Sequence, residues 1–471
     1  MFLAAANNGT MDFSANNTGL WSPIVQIGII AGMILLANVL RRKIGFFRKS
    51  LLPTAVLAGF LLLILRSTGV LDMSMSFLET ITYHALALGF IAQSLRIPEK
   101  KAADQNFIGL KSGALIVSTY MLQVIIGLAI SLVLAFTLLP DLFEASGILL
   151  AMAYGQGPGQ ANNVGGTYEL AGMLGGKSFG LSLAAAGYLC ACVVGVIYLN
   201  IANRKGKAHR VVNKDHLSGS VTVDAFQDAN EIPVAESVDR LSVQAALVCL
   251  VYLLTFLITW GIVSLLEAFA PGLAASVSSL LWGFNFIIGS MVAMGCRGVI
   301  SGLRKYKVMN RQYQNNYLLS RLSGLAFDVM IIAGIASIDI SDLAGNWLPF
   351  LLMAVLGGVG TFLYLLWMCK KLYPGYHFEG FLSMYGMLTG TISSGVLLLR
   401  EVDPEFKTPA SNNLIVGSSF GIAFGFPLLL LVNFAAVGAT NSLITLGIAA
   451  AYMGALMLLM FKVGKGKKKK Q

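Results

Sequence analysis

Apolar residues in this chain come in long runs separated by short polar or charged stretches. In the first half the runs are about Trp21–Leu40, Leu51–Leu65, Leu78–Leu95, Ser112–Leu138 and Ser178–Ile201. In the second half they are about Val243–Leu266, Ala274–Gly295, Tyr317–Ile338, Leu348–Met368, Asn413–Val437 and Ser442–Phe461. A helix rises about 1.5 Å per residue, so a run of roughly 20 apolar residues matches the hydrocarbon core of a bilayer. The inside-outside alternation of a membrane barrel is weak here. The pattern predicts an all-α polytopic membrane protein with about eleven transmembrane helices.

Two stretches break the pattern. Ala151–Gly172 reads AMAYGQGPGQANNVGGTYELAG, and Ser383–Glu401 reads SMYGMLTGTISSGVLLLRE. Both are too polar and glycine-rich for ordinary spans. Tyr154-Gly155 followed by Gly159, and Tyr385-Gly386 followed by Gly390, share the spacing Y-G-x-x-x-G, once in each half. Irregular backbone at membrane depth survives only inside protein or beside a water-filled cavity. Paired interruptions of this kind point to a binding site.

Charge then sets the topology. Only 12% of residues are charged, about half the share in soluble domains. The net charge of +11 sits in clusters beside apolar runs and in the Lys467–Lys470 tail. This is the positive-inside pattern of a protein anchored among lipids, not a nucleic-acid surface. Arg41, Arg42, Lys43, Arg48 and Lys49 place the first loop in the cytoplasm. The N-terminus is then extracytoplasmic and the C-terminus cytoplasmic. Residues 1–20 carry no Lys or Arg and do not read as a cleavable signal peptide.

The Ser178–Ile201 run ends at the basic stretch NRKGKAHR, so the parity works only if the first glycine-rich stretch returns to its own side. We therefore expect a re-entrant hairpin over 146–174: Gly147–Tyr154 enters, Gly155–Asn163 turns and Val164–Leu174 leaves. A second hairpin over 379–401 enters from the opposite side. With this layout every Lys and Arg except Arg66 and Lys177 is cytoplasmic.

The expected organisation is an extracytoplasmic tail (1–20), a first repeat (21–202), a cytoplasmic linker (203–240), a second repeat (241–437), and an extra span with a basic tail (438–471). The two five-helix units, each with its hairpin, form an inverted-topology repeat.

The candidate chemistry lies at the hairpins. Backbone N–H groups at a half-helix start suit an anion. Gly155, Gly157 and Gly159 allow close backbone approach, and Pro158 fixes the turn. Gln156, Gln160, Asn162 and Asn163 offer neutral donors and acceptors. Tyr385, Gly386, Thr389, Gly390, Thr391, Ser393 and Ser394 form the matching set in the second hairpin. Hydroxyl and carbonyl oxygens also suit a hard cation such as Na⁺. Tight packing by small residues is the competing explanation for the glycines.

Asp328 lies mid-span, where a carboxylate costs at least about 2.5 kcal/mol and marks a functional candidate. With Thr391 and Ser394 it is a candidate Na⁺ ligand, or a proton relay; a structural pair with Arg321 is the alternative. His84 reads as a packing histidine. Glu169, Arg400 and Glu401 fall near the hairpin mouths and read as solvated rims. The five cysteines contain no C-x-x-C and read as packing residues. Walker A, HExxH and G-x-S-x-G motifs are missing, so the chain is not expected to be an enzyme and needs no organic cofactor.

The layout and the run Gly155-Gln156-Gly157-Pro158-Gly159-Gln160 resemble the bacterial sodium/glutamate symporter family over about Trp21–Val437. Members of that family have two inverted five-span halves, each with a glycine-rich pore loop. Typical members read GGHGTG where this chain reads GQGPGQ. The glycine spacing is kept, while Gln156 and Pro158 replace the usual residues, and the eleventh span is additional. The resemblance implies Na⁺-coupled uptake of glutamate across a bacterial inner membrane by a homodimer whose hairpin-bearing domain moves against a scaffold. A proton-coupled carrier of another carboxylate or amino acid is the alternative. An ion channel is the alternative of a different class.

Overall fold

A computed structural model describes residues 12–49, 52–97, 103–204, 234–271, 278, 281–283, 285–309, 313–343, 345–403 and 408–462. Most of the linker, the lysine tail and the start of the seventh predicted span lie outside the described residues, as does the side chain of Ser393.

The described residues form helices and connecting turns, with no strand among them. The helices are α1 Thr18–Lys43, α2 Thr54–Ser67, α3 Met75–Leu95, α4 Ala103–Thr137, α5 Pro158–Leu170, α6 Gly176–Arg204, α7 Val234–Phe269 and α8 Asn285–Lys305. The rest are α9 Asn316–Ala336, α10 Trp347–Leu372, α11 His377–Thr389, α12 Ile392–Arg400, α13 Ala410–Ala435 and α14 Ala439–Lys462. Among the described residues, 9 helices are long and apolar enough to cross a membrane, or 10 if the bent α13 is one span. The chain is a multi-pass membrane protein by this measure. At 14 residues α2 is shorter than a usual span.

Several helices outrun their apolar windows. α7 starts at Val234, well before the apolar run, because Glu236, Asp239 and Arg240 are tolerated at a helix start outside hydrocarbon. Ser74 and Asn315 cap α3 and α9 by accepting from the Phe77 and Leu318 amides. Arg41, Arg42 and Lys43 end α1, and Lys370 and Lys371 end α10, where cations complement the helix dipole. α13 bends by 52° between Ala410–Ser418 and Ala423–Ala435. Pro427 removes the hydrogen bond to the Ala423 carbonyl, at the start of the second piece.

The helices pack as two bodies. In the first, α3 lies on α9 and α8, α2 lies on α9, α1 on α2, and α7 on α8. In the second, α4 is central and packs on α10, α13 and α14. The second body also holds α5, α6 and the pair α11 and α12. Polar side chains tie it together: Tyr364 donates to Ser118 at 2.8 Å, and Gln123 donates to Thr361 at 3.1 Å. The Tyr373 and Ser112 hydroxyls also meet at 2.8 Å. Such contacts substitute for the hydrophobic effect, which is weak between helices already in lipid.

Where the bodies meet, Lys177 bridges Glu79 of α3 at 2.7 Å and Glu169 of α5 at 3.6 Å. Ser178 donates to Asp342 at 2.8 Å in the turn after α9. In that turn the Ser341 hydroxyl and amide hold the Asp339 carboxyl below its ordinary range.

Glycines set the closest approaches. The backbones of Gly127 in α4 and Gly147 press together so closely that a Cβ on either would collide with the other. α11 and α12 fold back on each other with Gly386 against Gly395: a Cβ on Gly386 would lie 2.8 Å from the Gly395 Cα. Gly395→Leu would drive its side chain into the Ser383 carbonyl. We expect it to cost about 1–3 kcal/mol and to lower the detergent-solubilised melting temperature. Gly261→Ala, with nothing within 4 Å, should leave melting unchanged or raise it slightly.

Candidate functional site

The two glycine-rich stretches are each helix, break, helix. In the first, a turn of α-helix at Ile148–Leu150 widens into a π-helical turn at Ala151–Gly155. π-turns are rare and collect at functional sites. The chain then breaks at Gln156 and Gly157. Gly157 has φ 92° and ψ −178°, a conformation essentially reserved for glycine. Pro158 occupies the first turn of α5, where its missing N–H is no loss. This narrows the expected turn: Gly159, Gln160, Asn162 and Asn163 are helical, because Pro158 starts a helix that their composition alone does not suggest. In the second stretch α11 ends at Thr389, Gly390 turns the chain with φ −143° and ψ −103°, Thr391 is extended, and α12 begins at Ile392.

The breaks touch. A Cβ placed on Gly157 would lie 3.4 Å from Thr391 Cγ2 and 3.7 Å from the Gly390 carbonyl. α5 and α12 therefore both begin at one junction. The first body supplies one wall: Pro158 Cβ is 3.3 Å from the Cβ position of Gly334 in α9, and Gly159 packs on Leu86 and Met330. α6 supplies another. There Gly187 is so close to the Thr389 carbonyl that a Cβ would collide with it, and the Tyr188 ring lies 3.1 Å from the Cβ position of Gly390.

Polar groups around the junction are buried without hydrogen-bond partners. They are Gln123 Oε1, Gln160 Oε1, Asn162 Oδ1, Ser394 Oγ and the Tyr385 hydroxyl. An unpaired buried polar group costs about 1–3 kcal/mol, so their concentration here calls for a physical reason. The Tyr188 and Thr391 hydroxyls, also buried there, face each other.

The remaining predicted residues divide. Gly155 packs against the Tyr120 ring and Gln123. Gln156 is half-buried in the break itself. Asn163 donates at 2.7 Å to the Gly283 carbonyl, which makes it a tether. The Thr389 hydroxyl is used by the Tyr385 carbonyl at 2.7 Å. Tyr385 stacks on Phe381 with ring centroids 5.7 Å apart. Asp328 is exposed and shares one stripe of α9 with exposed Arg321, Gly324 and Leu325. Arg321 stacks on Tyr317, its guanidinium 5.0 Å from the ring centre. The two ion pairs found among the described residues both belong to Lys177, and neither includes Asp328.

Two site residues escaped the sequence reading. Gln123 sits mid-helix in α4, fully buried, and donates at 2.8 Å to the Leu388 carbonyl beside the second break. Its own oxygen lies 2.9 Å from the Cβ position of Gly155. It thus bridges the two breaks. A polar amide inside an apolar run was the available signal. Tyr188 gave none, since an aromatic in a span is ordinary. His84, read as packing, accepts from or donates to the Tyr252 hydroxyl at 2.6 Å, away from the junction.

No family model matches the chain, and no curated protein matches it. The geometry therefore carries the functional argument. It also makes a prediction of its own. Gly157→Ala has room for its methyl but must adopt the glycine-only conformation. We expect a loss of about 1–3 kcal/mol, read as a lower melting temperature of the detergent-solubilised protein.

Proposed function

We propose that the protein is a secondary active transporter of a bacterial inner membrane. It imports glutamate or a related small organic anion in symport with Na⁺. The observation that carries this reading is the junction: two half-helices, α5 and α12, begin at the same point among buried polar groups without partners. Helix N-termini carry partial positive charge and free N–H groups, a ready site for a carboxylate. In this reading the broken segments are re-entrant hairpins, irregular only where protein encloses them. Gly157, Gly159, Gly390 and Thr391 bring backbone to the anion. Thr391, Ser394 and Asp328 hold the cation.

The packing favours an inverted repeat. α1 on α2 has its counterpart in α7 on α8, and α2 on α9 in α8 on α3. Swapping the halves leaves α3 on α9 and α4 on α10 unchanged. Two bodies meeting at the site suit alternating access of the elevator kind, in which the hairpin-bearing body moves against the other. The resemblance to sodium/glutamate symporters agrees with this reading and adds the homodimer. In this reading the basic loops face the cytoplasm, with the N-terminus outside and the C-terminus inside.

Asp328 supports a second reading. An exposed mid-span carboxylate without an ion pair suits a proton carrier as well as a Na⁺ ligand. Uptake of radiolabelled glutamate into proteoliposomes separates the readings. An inward Na⁺ gradient alone should drive accumulation. A proton gradient alone should not, and uptake driven by it would replace Na⁺ coupling with proton coupling. Single-channel currents without uphill accumulation would make the protein a channel. Asp328→Asn should reduce Na⁺-driven initial uptake about tenfold, the loss of roughly 1.4 kcal/mol of cation binding. Unchanged uptake by that variant would remove Asp328 from the site.

A further inference from the structure

A cavity in the first body has no part in the transport reading. It measures about 470 Å³ and lies among α3, α7 and the residues that open α8. Tyr83, Phe256 and Trp282 give it aromatic walls, and the Phe256 and Trp282 rings stand 5.6 Å apart. His84, Cys249 and Phe256 are exposed at its rim. These positions fall in the middle of the apolar windows of α3 and α7, the part of each helix that meets hydrocarbon. The cavity therefore opens toward lipid.

One chain of polar groups runs through it. The Asn285 amide donates to the Tyr252 hydroxyl at 3.2 Å, and the Tyr252 oxygen meets His84 Nδ1 at 2.6 Å. With its oxygen accepting from Asn285, Tyr252 donates its hydrogen to the imidazole, whose own hydrogen is then on Nε2. Tyr83 donates its hydrogen to the Trp282 carbonyl at 2.6 Å. It also meets the Asn285 side chain, and there it can only accept from the amide N–H. The amide nitrogen of Asn285 is thus engaged, while its oxygen, Oδ1, is buried with no partner. Asn285 is only 4% exposed. A buried acceptor without a donor is costly, and this one belongs to a residue that lines the cavity.

The lining selects the occupant. Its described residues include no Asp, Glu, Lys or Arg, so an ion of either sign would go uncompensated and the occupant is neutral. The unpaired oxygen requires a donor. The aromatic walls favour a ring, which packs against them offset or edge-on. The volume is that of an ordinary small-molecule site. We propose that this cavity binds a neutral, lipid-soluble phenol, whose hydroxyl donates to Asn285 Oδ1 and whose ring lies among Tyr83, Phe256 and Trp282. The site is separate from the junction but adjoins its support. Asn163 of α5 donates to the Gly283 carbonyl at 2.7 Å, one residue from the Trp282 carbonyl held by Tyr83. An occupant rests against the segment that tethers the first hairpin, and the assignment stands independently of the transport reading.

The test uses the full-length protein in lipid nanodiscs. It is photolabelled with a diazirine-bearing phenol or with the methyl ether of that phenol, which keeps the ring and lacks the donor. Peptide mass spectrometry locates the label. The phenol should label α3, α7 and α8 around the cavity saturably, and about fivefold more than the ether, the ratio expected of one hydrogen bond. Unlabelled butylphenol should compete, and butylanisole much less. Asn285→Leu should bring phenol labelling down to the level of the ether and leave ether labelling unchanged.

Equal labelling of wild type by the two probes, or unsaturable label spread along the lipid-facing helices, would overturn the proposal. So would cross-linking of Cys249 to a second copy with no phenol label at the cavity, which would make this face an interface between copies. Should Asn285→Leu fail to fold, Cys249→Trp, which fills the rim, takes its place. Reduced labelling by both probes would support the site, and undiminished labelling would overturn it.

Discussion

Hydrocarbon offers no hydrogen bonds, and that constraint orders everything else in this molecule. A helix satisfies its own backbone, so the long apolar runs can face lipid as helices. The segments around Gly157 and Gly390 interrupt that regular backbone, although the Gly157 N–H still donates to the Ala153 carbonyl at 3.1 Å. Around them α3, α4, α6 and α9 stand in place of lipid. Helices restart at Pro158 and, after Thr391, at Ile392, so each interruption is short. What remains is a junction where two helices begin close to several buried side-chain oxygens.

The breaks also need something to hold them in register. Glycine backbones perform part of that task, since Gly127 against Gly147 and Gly386 against Gly395 let each arm lie directly on its neighbour. Gln123 performs the rest. From the middle of α4 it donates to the Leu388 carbonyl and presents its oxygen to the Gly155 region, so one side chain spans both breaks. The joints between the bodies are fewer and more polar. Pro158 rests on Gly334, Gly159 on Leu86 and Met330, and Lys177 joins Glu79 to Glu169. Ionic and small-residue contacts of this kind can be exchanged more cheaply than a continuous apolar seam.

Much of the architecture was legible because membrane helices are written in composition. Ten of the apolar runs reappear as described helices from Thr18 to Lys462, with ends shifted outward where charged residues prolong a helix beyond the hydrocarbon. The break at Gln156 and Gly157 was legible because Gln-Gly-Pro-Gly has no reason to occur in a plain span. Its length was misjudged. Gly159 to Asn163 look like loop residues singly, but Pro158 at a helix start overrides their propensities. Gln123 and Tyr188 belong to another category. Gln123 meets Leu388 across 265 positions of sequence, and local pattern holds no record of such a meeting.

The same distinction explains why Asp328 could be found but not understood from sequence. A carboxylate in an apolar run announces itself by its cost. The natural guess for its partner was Arg321, two turns away on the same helix. Their side chains share one exposed stripe, yet the guanidinium lies over Tyr317 instead. The carboxylate is left without an ion pair among the described residues. The cost of a mid-span carboxylate marks its position in the sequence, but what it faces is set by helices far away in the chain, and no local pattern records that.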